Sequence, residues 1–136
     1  MSISIELARA LRDSGLVWHP SSGDNFIIDR LEADDEVFTV SDMTVEAHVF
    51  DTGTVLGFNG TTEWALDSVA LDDALWLPRE DQLRVLLATA FSSLGYQDGS
   101  HTVVATVDGS SRQFTAADAA DAYSRALLAI LDALAA

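Results

Sequence analysis

The chain contains neither cysteine nor lysine. Without cysteine there are no disulfides, no thiolate metal sites and no cysteine nucleophile. Without lysine no phosphate loop of the G-x-x-x-x-G-K-[ST] type can be built. The signatures G-x-G-x-x-G, H-E-x-x-H, G-x-S-x-G and the calcium-binding EF-hand loop are also missing. All seven basic residues are arginines, set against 22 acidic residues for a net charge of −15. The arginines are scattered, so the clustered cations that drive nucleic-acid binding by counterion release are lacking. Docking on an anionic membrane surface is disfavoured for the same reason. No apolar run approaches the ~18–20 residues that a membrane-spanning helix needs. The opening residues, Met1-Ser2-Ile3-Ser4-Ile5-Glu6, carry no basic stretch and no long apolar core. A soluble cytoplasmic protein with no signal peptide is therefore expected.

What is present is apolar: 49% of the 136 residues are hydrophobic. That suffices for one domain with a core that needs no metal or disulfide staple. A first helix is predicted over 4–14, with Leu7, Ala8 and Leu11 as its stripe and Gly15 as its stop. Pro20 and Ser21-Ser22-Gly23-Asp24 turn the chain into a short strand at Phe26-Ile27-Ile28. Alternating and β-branched residues over 37–40, 45–50 and 54–58 predict a meander, with a hairpin loop at Asp51-Thr52-Gly53. A short helix over 63–69 and a connection over 71–75 follow. Pro78, Glu80 and Asp81 then suit the first turn of a second helix. Its stripe of Leu83, Leu86, Leu87, Ala90, Phe91 and Leu94 has helical spacing, and Gly95 ends it. Strands over 102–107 and 112–114 flank an Asp108-Gly109 turn. Thr115 caps a final helix over 116–135. Clustered strands joined by hairpins predict a single α+β domain over 1–136. Its form is a layered sandwich with a largely antiparallel sheet of about five or six strands, packed with N-terminal, central and C-terminal helices.

Three groups of residues are candidates for chemistry. On an extended strand Asp42, Glu46 and His48 share one face. Glu46 and His48 then lie about 6–7 Å apart by Cα. A carboxylate beside an imidazole can orient a base or hold a divalent ion, which is the pattern of a small metal-dependent or acid–base enzyme. The same alternation also arises from a sheet with one wet face, and two ligands fall short of the three of a catalytic zinc site. Glu32, Asp34, Asp35 and Glu36 form an acidic run without the spacing or the glycine of a calcium loop, and read as a solvated loop. Trp64 and Trp76, with acids around them, match a pocket for a cationic small molecule. Helix capping and the helix dipole account for the nearby Glu63, Glu80 and Asp81 without any ligand. No catalytic residue and no cofactor is assigned.

Four segments carry a resemblance. They are Trp18-His19-Pro20-x-x-Gly-Asp, Val40-Ser41-Asp42-Met43-Thr44-Val45-Glu46, Gly57-Phe58-Asn59-Gly60-Thr61-Thr62-Glu63-Trp64-Ala65-Leu66-Asp67-Ser68-Val69 and Trp76-Leu77-Pro78-Arg79-Glu80-Asp81-Gln82-Leu83. Together they resemble a family of small actinobacterial proteins, many of which carry the label "pilus assembly protein". The skeleton is also similar to short proteins of Firmicutes and phages. The label implies an ATPase-like partner in a secretion machine. This chain departs from an ATPase itself, having no phosphate loop and no lysine. The resemblance carries no site residue with it. The expectation is a non-enzymatic protein-interaction or regulatory module, with a protein partner or self-association and neither nucleic acid nor membrane.

Overall fold

Ser4 opens the first helix where the sequence places it. Helix α1 spans Ile5–Asp13, and the Ser4 hydroxyl accepts from the Leu7 N–H at 3.4 Å. Gly15, at φ +109°, terminates it in a conformation that disfavours residues with a Cβ. The computed structural model describes residues 2–29, 36–40, 46–50, 53–57, 68–70 and 73–135. The class is α+β. The described residues hold three α-helices and nine strands, arranged as three antiparallel three-stranded sheets. The chain divides into two compact units, one of residues 18–77 and one of residues 1–17 with 78–136.

In the unit of residues 18–77, β1 (Asn25–Ile28) pairs with β2 (Phe38–Thr39) on one side. A second sheet is made from β3 (Glu46–Phe50), β4 (Gly53–Gly57) and β5 (Ser68–Ala70). The β3–β4 hairpin is as expected, except that Gly53 pairs with Phe50 and so belongs to the strand. Two expectations are corrected here. Ser68 and Val69 do not end a helix: Val69 pairs with Leu56 in the β4–β5 ladder. Residues 61–67 of that expected helix lie outside the described residues. The supposed connection over 71–75 gives way to β6 (Ala74–Leu77), whose four residues pair with all of β1. A short apolar run buried on both faces has no period to read, which is why Ala74-Leu75 escapes a pattern search. Trp18, Phe26, Val40 and Ala74 form the buried cluster of the first sheet, with Ile28 and Trp76 packed against it.

The other unit begins again at Pro78. Pro78 precedes the cap and is not in the first turn. Arg79 is the N-cap of α2 (Glu80–Leu87), and its N–H donates to the Gln82 side chain at 2.9 Å. Leu83 and Leu87 are buried. The helix stops there, and not at Gly95 as its apolar stripe predicts. Ala88 takes φ +51°, a short 3-10 turn covers Ala88–Ala90, and Phe91–Gln97 is a strand, β7. Ser92, Ser93 and Gly95 are weak helix formers, while Phe91 and Tyr96 suit a strand. The turn at Asp98-Gly99, with φ +53° and +79°, then pairs β7 to β8 (Ser100–Val107) in a tight hairpin. Asp108-Gly109 repeats that turn at +51° and +80° and leads into β9 (Ser110–Ala116). Thr115 is thus a strand residue and not a cap. The carboxylate of Asp118 accepts from the Ala120 N–H at 3.0 Å at the start of α3 (Ala119–Ala135). Val103, Ala105, Val107, Phe114 and Ala116 turn inward with the buried face of α3, led by Tyr123, Ala126 and Leu127. Asp121 of α3 accepts from the Ser4 N–H at 2.7 Å and ties α1 to α3.

Candidate functional site

Of the residues singled out in the sequence, Asp42, Trp64 and, from the acidic run, Glu32, Asp34 and Asp35 lie outside the described residues. Glu46 and His48 stand two positions apart in β3, opposite Gly57 and Val55 of β4. Among the described residues no three His, Asp or Glu side chains converge as a metal site. Trp76 is in β6, and its neighbour is a tryptophan that the sequence reading leaves aside. Its ring stacks on Trp18 with centroids 6.5 Å apart and planes within 10°.

Trp18 is fixed by chemistry within its own motif. Its indole N–H donates to an Asp24 carboxylate oxygen at 2.9 Å, and the Ser21 N–H donates to the same oxygen at 3.0 Å. Asp24 is buried, only 3% exposed. Pro20 and Gly23 bend the chain so that a carboxylate six residues on can reach the indole. The signal was therefore present in the sequence as Trp-x-Pro-x-x-Gly-Asp. The Trp76 N–H, by contrast, is buried without a hydrogen-bond partner among the described residues.

The outer side of α2 presents an open groove of about 640 Å³, lined by Glu80, Asp81, Arg84, Val85 and Tyr123. Burial pushes the Tyr123 phenol above its ordinary range, and the Glu80 carboxylate adds to this. The Arg79 guanidinium, hydrogen-bonded to Asp81 at 3.1 Å, holds that carboxyl low. Arg84 lies 4.3 Å over the Phe91 ring, which stacks on Tyr123 at 5.7 Å. The charges of this groove already have neighbours within the fold.

Among the described residues, the outer edge of β7 in the β7-β8-β9 sheet offers unmet backbone bonding capacity. β7 pairs with β8 on one side, and no described strand pairs with its other side. Its sequence, FSSLGYQ, has no charge and no proline, the devices that usually protect a sheet edge. All of it beyond Phe91 is exposed, with Leu94 at 37% and Tyr96 at 67%. A bulge between Phe91 and Ser93 confines the regular ladder to 93–97. The opposite edge is treated differently. Arg125 donates to the Thr115 carbonyl of β9 at 2.7 Å, and Arg112 covers the Phe114 ring. Phe91 and Leu94 continue the helical spacing of the Leu83–Leu87 stripe, which masks β7 in the sequence.

Among the described residues no helix is long and apolar enough to cross a membrane. Comparison with protein-family models, with curated proteins and with solved structures finds no match to this chain.

Proposed function

We propose that the protein is a cytoplasmic, non-enzymatic interaction module that offers the outer edge of β7 to an extended strand. The observation that carries this reading is an uncharged, exposed edge strand in a chain of net charge −15. Strand addition takes its affinity from main-chain hydrogen bonds and its selectivity from alternate side-chain positions. Leu94 and Tyr96 supply those positions on the face shared with Val103 and His101. The sequence also lacks the H-E-x-x-H and G-x-S-x-G signatures, which accords with a binding role.

The test is photo-crosslinking in the native host. p-Benzoylphenylalanine replaces Leu94 in one variant and Ser111 of β9 in a control. The expected result is a defined protein adduct from position 94 and none from position 111. Position 94 yielding no more adduct than position 111 sinks the proposal.

A further inference from the structure

We infer that the strand accepted by β7 is β7 of a second copy, paired antiparallel about Gly95; this rests on the reading of β7 as an interaction edge. The register follows from the backbone. In a two-residue hairpin with both turn residues at positive φ, the flanking residues exchange both of their hydrogen bonds, and pairs alternate from there. Gln97 and Ser100 flank the Asp98-Gly99 turn. Gln97, Gly95 and Ser93 therefore direct their N–H and C=O groups toward β8. Tyr96 and Leu94 direct theirs outward, toward the edge that no described strand occupies. A partner strand must present an outward-bonding residue opposite each of these.

A two-fold axis at Gly95 meets that requirement with the chain's own sequence. Leu94 then faces Tyr96 of the other copy, and Tyr96 faces its Leu94, each as a hydrogen-bonded pair. Residues directly opposite in this way have Cβ atoms about 5 Å apart, so the Tyr96 ring and the Leu94 side chain meet across the junction. They also complete a row. Phe114, Val103 and Leu94 lie opposite one another across the sheet, 9%, 0% and 37% exposed. The apolar row is thus closed at β9 and open at β7. The second copy continues it with Tyr96, which rests on its own His101 at 4.7 Å between ring centroids.

Charge and sterics agree with the same axis. Ser93 to Gln97 carry no charge, so two copies of an acidic chain meet along a neutral line. Asp98 falls opposite Ser92, where the bulge departs from the ladder. Gly95 meets itself across the axis as a non-hydrogen-bonded pair, the closer kind, with Cα atoms about 4.5 Å apart. A Cβ at Gly95 would find nothing within 4 Å in the single chain. The fold of one copy therefore tolerates a side chain there, and the contact between copies is what senses it.

The experiment is sedimentation velocity on the full chain between about 5 and 500 µM. This range spans the micromolar dissociation constants of a weak self-association. The wild type should pass from monomer to dimer across it. Gly95→Lys places like charges opposite each other and should weaken the dimer about tenfold or more, with its thermal melt unchanged at about 5 µM, where the wild type is still monomeric. Gly95→Thr, neutral and strand-favouring, should keep the dimer, because Thr–Thr pairs are compatible with this position. A wild type that stays monomeric overturns the inference. So does a dimer indifferent to Gly95→Lys, because the interface is then elsewhere. The mass of the adduct from position 94 separates the two readings. A doubled mass supports the second copy, a different protein overturns it while leaving the interaction reading intact, and no adduct overturns both.

Discussion

Replacing Asp24 with alanine removes the acceptor for the Trp18 indole and the Ser21 amide together, since both donate to one carboxylate oxygen at 2.9 and 3.0 Å. Hydrogen bonds to a charged acceptor contribute about 1.5–3 kcal/mol, and a buried donor left unpaired costs about 1–3 kcal/mol. Ser21 is exposed and its amide can turn to water, whereas Trp18 is buried. The indole therefore dominates, and Asp24→Ala should lower unfolding free energy by about 3 kcal/mol. Asp24→Asn keeps an oxygen in the same place and both of these donors satisfied but loses the charge assistance to them, so about 1 kcal/mol is expected. Urea titration followed by far-UV circular dichroism, with equal m-values, measures both. Against stabilities of about 5–15 kcal/mol, the alanine effect is large. An alanine loss under about 1 kcal/mol, or an asparagine loss equal to it, would falsify the claim that Asp24 holds Trp18 by this bond.

The remaining predictions concern the other unit. Leu83→Ala, at a fully buried position of α2, should cost about 2–5 kcal/mol. Val85→Ala on the same helix, 76% exposed, should stay within about 0.5 kcal/mol; similar losses for the two would mean that α2 packs by a different face. The Tyr123 phenol is raised by burial and by Glu80, so its contribution is intact below its ordinary pKa near 10 and lost as pH climbs through the raised value. Urea midpoints should fall on that alkaline limb, and Tyr123→Phe should flatten the fall; an unchanged slope counts against it. Salt should tighten dimerisation by screening two chains of −15, and sedimentation in 50 and 500 mM NaCl would show the reverse if charged contacts held the interface.

The sequence revealed its local signals better than its lengths. Gly15 stops α1 as read, because a left-handed stop is the chemistry of a single residue. The β3–β4 and β8–β9 hairpins followed from alternation and from Asp108-Gly109. The stripe from Leu83 to Leu94 misled because helical spacing continued by accident beyond Leu87, where a backbone turn at Ala88 ends it. Spacing records which residues are apolar and not what they pair with; the tertiary ladder with β8 decided that Phe91–Gln97 is a strand. Trp76 stands out in the sequence, but its neighbour is not legible there. Trp18 and Trp76 meet only through the β1–β6 pairing, a long-range contact with no local mark. The unprotected edge was hidden for the same reason, since an edge exists only once a sheet has an order.

The most direct test of the central claim is residue-resolved amide hydrogen exchange at Leu94 and Tyr96, measured as a function of protein concentration. The two-fold pairing about Gly95 makes these two amides outward donors that the second copy satisfies. Their protection should rise together from about 5 to 500 µM, while Gly95 and Ser93, bonded within the hairpin, should hardly change. Exchange at Leu94 and Tyr96 that is fast and indifferent to concentration would contradict the account.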